Sequence, residues 1–141
     1  MHSPIIAILA AGVAGWVFGA VWYSLLGKPW QRALGLNPDD CKDKKMPVVP
    51  MVTSFLVALL MSVVLYPVLL SAGVRTPIAA LVTGLILGGG FLFCSHMVNN
   101  MFQQRSFTLT VIDGLHWTFA LVIEAVVIVL VSGMLTSRPT V

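Results

Sequence analysis

Four polar residues, Asp113, His116, Glu124 and His96, sit in or beside long apolar runs where their chemistry needs an explanation. Glu124 lies mid-way along 115–134, a run otherwise free of charge and long enough to cross a bilayer. Burying an acid at that depth costs about 2.5–3.5 kcal/mol even on lenient insertion scales. On a helix advancing 100° per residue, Asp113, Trp117, Ala120 and Glu124 project within an arc of about 60°, with His116 at its edge. Farther along, the same face carries Val127 and Val131, so the stripe is polar at one end and apolar beyond mid-membrane. In the preceding apolar run, Gly84, Gly88, Ser95 and Asn99 form a comparable small and polar face, flanked by His96 and Gln103. A tight hairpin around Gln104 brings Ser95 and His96 to about the depth of Asp113. Together these residues predict a polar vestibule ending at Glu124.

Three kinds of chemistry suit such a stripe. As interhelical glue, Glu124 hydrogen-bonds a neighbouring helix and its role is packing or assembly, a bond worth about 0.6–2 kcal/mol. As a coupling group, it takes up and releases protons while an ion or small solute binds, which makes the protein a proton- or ion-coupled transporter. As ligands, His96, Asp113 and His116 hold a metal or a haem, since two imidazoles and a carboxylate suit several transition metals and Asp113 and His116 stand three residues apart. The glue reading leads, and no cofactor is expected. No nucleophile–base pair suggests an enzyme.

The elements that must carry this stripe are set by composition. The chain has 141 residues, of which 58% are hydrophobic and 9% charged, against about 25% charged in soluble domains. The stretches 4–26, 48–72 and 77–98 carry no charge, and 115–134 carries only Glu124. Each is near the roughly 20 residues a helix needs to cross the hydrocarbon core, and none alternates in polarity as a barrel strand does. The prediction is one all-α integral membrane domain of four transmembrane helices, at about 4–26, 48–72, 77–98 and 108–135, with a polar loop at 27–47.

Charge gives orientation. A net charge of +3 does not argue for nucleic acid; the lipid bilayer is the expected partner. Lys28, Arg32, Lys42, Lys44, Lys45 and Arg105 fall at one end of the helices, and Arg75 and Arg138 at the other. The positive-inside rule places the first group in the cytoplasm and both termini outside. No basic residue opens the first apolar run, which is also too long for a signal peptide core, so a cleaved leader is not expected. Trp22, Tyr23, Lys28 and Trp30 near its end resemble interfacial anchors. Cys41 and Cys94 are too few for a disulfide framework.

Within the loop, 29–36 can form a short amphipathic helix in the headgroup plane, with Trp30, Ala33 and Leu34 inward. Asn37, Pro38, Asp39 and Asp40 read as a new helix start, with Asn37 as cap. Asp39, Asp40 and Asp43 lack the glycine and closing glutamate of a calcium loop and serve as capping charges. Two small-residue ladders, Ala7-Ala11-Gly15-Gly19 and Ala80-Gly84-Gly88, let helix backbones approach closely. They pack the bundle, against each other or against a second copy in a homodimer or larger complex. Pro67, behind Tyr66, should kink or shorten the second helix.

Several local patterns are similar to a bacterial membrane family catalogued as domain of unknown function 1761. They are Gly15-x3-Gly19-x2-Trp22-Tyr23-Ser24, Gly27-Lys28-x-Trp30, Gly35-Leu36-Asn37-Pro38-Asp39-Asp40, Asn100-x-Phe102-x2-Arg105 and Ile112-Asp113-Gly114. The resemblance implies a small four-helix protein of the bacterial inner membrane, with no assigned activity. Where that family tends to place a tyrosine after the Asp-Gly pair, this chain has His116. Asp113, Trp22, Tyr23 and Lys28 are the residues the resemblance marks for a common role.

Overall fold

Four long helices account for nearly all of the computed structural model, which describes residues 4–41 and 47–136. They are α1 (Pro4–Ala33), α2 (Val48–Ser71), α3 (Pro77–Phe102) and α4 (Phe107–Thr136). All four are long and apolar enough to cross a membrane, and the described residues contain no strand. Large apolar side chains such as Ile6, Val17, Leu60, Ile86 and Phe91 point outward, while Ser62, His116 and Glu124 are buried. That inversion is what lipid demands, since a hydrocarbon solvent accepts apolar surface and leaves polar groups to find partners inside. Lys42, Asp43, Lys44, Lys45 and Arg138 lie outside the described residues.

α4 is the central element. It packs against each of the other three, most extensively against α1 and α3, and α2 leans on both α1 and α4. Both small-residue ladders are spent on this arrangement and neither meets the other. On α3, an added Cβ at Gly84 would come within 2.7 Å of Val122 Cα, and one at Gly88 within 2.8 Å of Thr118 Cα. On α1, Gly15 and Gly19 press on the side chains of Glu124 and His116. Toward the α2–α3 turn the interior is dry, with Ala11, Leu65, Leu69, Ala80, Leu121, Ala125, Ile128 and Val129 in one cluster. The opposite half is polar and aromatic.

Three helix ends close in the same way. After α1, α2 and α3 the chain turns through a left-handed residue, Gly35 (φ 80°), Gly73 (φ 69°) and Gln104 (φ 55°). The amide beyond each reaches back five residues, as in Val74 N to Leu69 O at 3.0 Å and Arg105 N to Asn100 O at 2.9 Å. This is the Schellman closure, which satisfies carbonyls the helix leaves free. Starts are capped too. Thr76 accepts from Ala79 N ahead of Pro77, and Ser106 accepts from Leu109 N while donating to Ala33 O at 3.0 Å. The second bond fastens the end of α1 to the start of α4.

The structure corrects two expectations. α1 does not stop near residue 26 and re-form as a separate headgroup helix over 29–36; it runs unbroken through Pro29 to Ala33. A proline inside a helix forfeits one backbone bond. Here Trp30 offsets the loss, because its indole N–H donates to Asp113 on α4 at 3.0 Å and holds the last turns against the bundle. Pro38–Cys41 is a single 3₁₀ turn, with Asn37 Oδ1 accepting from Asp39 N as the cap reading expects.

The second correction concerns α3, which contains a π-helical stretch over Gly88–Phe93. An i→i+5 turn takes about one residue more than an α turn, so everything beyond it is rotated back by about one position. Asn100 therefore takes the inward place that uniform helical spacing assigns to Asn99. Asn100 is buried and donates to Thr110 Oγ1 at 3.1 Å; Asn99 and Ser95 are exposed, and His96 is half-buried.

Candidate functional site

The polar stripe of α4 faces α1 and α2, not α3. The small residues explain this: Gly84 and Gly88 seat α3 against Val122 and Thr118, and Gly114 takes the ring of Phe93. That face is roughly opposite Asp113 and Glu124 on the helix. The predicted vestibule with Ser95, His96 and Asn99 therefore does not form, and the stripe borders a different cleft.

At its deep end is Glu124, 1% exposed. Ser62 of α2 donates to its Oε2 at 3.0 Å, while Oε1 has no hydrogen-bond partner among the described residues. Opposite Oε1 is Gly15, where a Cβ would lie 2.5 Å away, closer than any real contact. A side chain at position 15 would require the carboxyl to shift from where it sits. One and two turns nearer the loop end of α4 come Ala120 and then His116 and Trp117. Gly19 makes the same concession to His116, since a Cβ there would lie 2.7 Å from Nε2. The imidazole stacks on Phe18 with ring planes 5° apart, touches Tyr23 and Trp117, and leaves Nδ1 buried without a partner among the described residues.

Asp113 closes this end of the stripe. Its Oδ1 accepts from the Tyr23 hydroxyl at 2.7 Å and from Trp30 Nε1 at 3.0 Å. Next to it, Trp22 Nε1 donates to Ile112 O at 3.2 Å. Trp22, Tyr23 and Trp30, read from sequence as interfacial anchors, thus anchor α1 to α4 as well. Lys28, on the same stretch of helix, is exposed.

Between α1, α2 and α4 these residues leave a cleft of about 230 Å³. Its walls include Gly15, Gly19, Ala58 and Ala120, the rings of Trp16, Tyr23 and Trp117, and the polar groups Ser54, His116 and Glu124. It extends from mid-membrane toward Ser24 and Met51, at the end of the bundle that bears Lys28 and Arg32. Among the described residues no three His, Cys, Asp or Glu side chains gather as a metal site, so His96, Asp113 and His116 are not assembled as ligands. Cys41 and Cys94 are free thiols.

A family profile described as "Protein of unknown function (DUF1761)" matches residues 6–129. The chain belongs to this family. No curated protein and no solved structure shows a significant match. The DUF1761 span takes in every lining residue of the cleft from Gly15 to Glu124. It also contains Trp22, Tyr23, Trp30 and Asp113, which come from separated sequence patterns and meet in one hydrogen-bonded cluster.

Ser62 and Trp16 carry no mark in the sequence taken singly. Serine in an apolar helix commonly bonds its own backbone, as Ser71 does here to Pro67 O. A signal was nonetheless present: Ser54, Ala58 and Ser62 repeat every fourth residue, a third small-residue ladder, and all three turn toward α1 and α4.

Proposed function

We propose that this protein is a small-solute carrier of the membrane in which Glu124 exchanges a proton for the solute or ion that enters the cleft. The observation that carries this reading is the unpartnered Oε1 of a wholly buried carboxyl at the wall of a 230 Å³ cleft. An unsatisfied buried polar atom costs about 1–3 kcal/mol, and two glycines are placed so that Glu124 and His116 fit beside it. A residue serving as glue alone is best satisfied at both oxygens. A carboxyl that must accept a ligand keeps one oxygen available. The exchange balances for a cation: the carboxyl's proton passes to water at the open end of the cleft as the cation's positive charge takes its place beside the carboxylate, and a proton returns when the cation leaves.

The Ser62 bond favours the second reading, in which Glu124 ties α2 to α4 and nothing more. Proteoliposomes loaded with a pH-sensitive dye separate the two. A panel of small polar solutes applied outside should include some that drive proton movement through the wild type. Glu124→Gln, which keeps the size and a hydrogen-bonding tip, should abolish that movement and still elute as a folded protein. Proton movement at the wild-type rate in the Gln variant removes the carrier reading. So does its absence for every solute in the panel, and the Ser62–Glu124 tie is then the whole role.

A further inference from the structure

We infer that the cleft is built for an organic ammonium ion, a quaternary or protonated amine seated between Glu124 and the rings of Trp16, Tyr23 and Trp117. The inference rests on the carrier reading and names its solute. It begins with the charge of the lining. Among the described residues Glu124 is the only acid on the cleft wall and no lysine or arginine lines it, so an anion meets no counter-charge from them and a cation meets one.

The aromatic walls point the same way. Trp16 and Tyr23 ordinarily offer hydrogen-bond donors, but both donors are committed elsewhere. The Trp16 indole N–H goes to Ser54 Oγ at 3.1 Å, and the Tyr23 hydroxyl goes to Asp113 Oδ1 at 2.7 Å. Ser62 spends its hydroxyl on Oε2 of Glu124, and Ser54 donates to Met51 O at 2.8 Å. What remains on the cleft wall is ring surface, small side chains, the Trp117 indole, His116 and the Glu124 carboxyl, whose Oε1 is buried beside Gly15. Aromatic rings attract cations through their quadrupole, and rings combined with a carboxylate are the usual recognition of quaternary ammonium groups.

An inorganic ion fits less well. Calcium takes six to eight oxygens and magnesium six in near-octahedral array, whereas the described wall of this cleft has one carboxyl, that of Glu124, and no gathered set of ligands. The volume agrees: about 230 Å³ far exceeds the roughly 15 Å³ that one water requires, and matches a small organic molecule. Asp113 acts at one remove. By holding the Tyr23 hydroxyl it fixes a wall of the cleft, which makes it a positioning residue.

The test uses the full chain in mild detergent, with choline and its uncharged carbon isostere 3,3-dimethylbutanol as probes. Trp16 and Trp117 line the cleft, so tryptophan emission reports occupancy. Choline should bind saturably, and the isostere at least tenfold more weakly. Glu124→Gln should weaken choline tenfold or more without altering the isostere. Trp117→Leu should do the same by removing a wall while leaving the acid, and it decides the matter if Glu124→Gln fails to fold. Equal binding of the two probes overturns the ammonium inference and leaves the carrier reading standing. So does failure of choline to bind while another solute drives Glu124-dependent proton movement in proteoliposomes. If nothing binds and no proton moves, both are overturned.

Discussion

Glu124 and Gly15 are best understood as one unit. The carboxyl occupies space that any side chain at position 15 would take, so the glycine and the acid fix each other's identity. Gly15→Ala must push a Cβ into Oε1 and disturb the Ser62 bond, and overpacking of this kind costs about 1–3 kcal/mol. Gly27 is the matched control, since it is in the same helix and a Cβ there meets none of the described residues within 4 Å. Gly27→Ala replaces glycine by the best helix former and should gain up to about 1 kcal/mol. Unfolding in mixed micelles, followed by circular dichroism, compares the two. Equal effects would show that Glu124 has freedom to move away and that the close approach is not enforced. His116 and Gly19 repeat the arrangement, about one turn farther along α1 and two turns back along α4, which is why the ladder on α1 faces α4.

Among the elements, the α3–α4 turn invites a direct test. Gln104 holds φ 55° in a Schellman closure whose two counterparts use glycine. A non-glycine residue in that region pays about 1 kcal/mol or somewhat more. Gln104→Gly should therefore raise stability by up to about 1 kcal/mol without changing the cleft, which lies on the far side of α4 from α3; no gain would mean that Gln104 makes a compensating contact. The number and type of helices were legible in the sequence because hydrocarbon thickness sets their length and charge marks their ends. The face of α4 was legible too, since Asp113, Trp117, Ala120 and Glu124 do share it. The neighbour of that face was not. Helical spacing gives a residue's direction around its own axis and says nothing of which helix stands there. The π stretch after Gly88 added a second error by rotating Asn100 into the place of Asn99. Three consecutive glycines were the available sign, but glycine runs more often mark close packing than a change of helical pitch. Trp30 carried α1 past Pro29 through a contact with Asp113, 83 residues away, which local pattern does not reveal.

At the scale of the whole molecule, the bundle is divided along its length: a dry core toward the α2–α3 turn, and a polar cleft toward the end that bears Lys28, Arg32 and Arg105. Arg75, in the α2–α3 turn, is at the other end. Lys28, Arg32 and Arg105 lie at the cleft end, and Lys42, Lys44 and Lys45 fall in the sequence between α1 and α2; an imbalance of that size should hold this end in the cytoplasm. In the proposed carrier the orientation decides from which side a solute reaches Glu124, so it bears on the direction of the proposed exchange as well as on topology. With Cys41 and Cys94 replaced by serine, Arg75→Cys and Arg105→Cys report the two ends independently, because both positions are exposed and neither lines the cleft. A maleimide that does not cross membranes should label Arg75→Cys in intact cells, and Arg105→Cys only after the membrane is opened. The reverse pattern would place the cleft outward. Labelling of both positions in intact cells would mean two insertions of the same chain, and each population would then present Glu124 to an opposite side, a state that adding or removing a single lysine near Lys28 should bias.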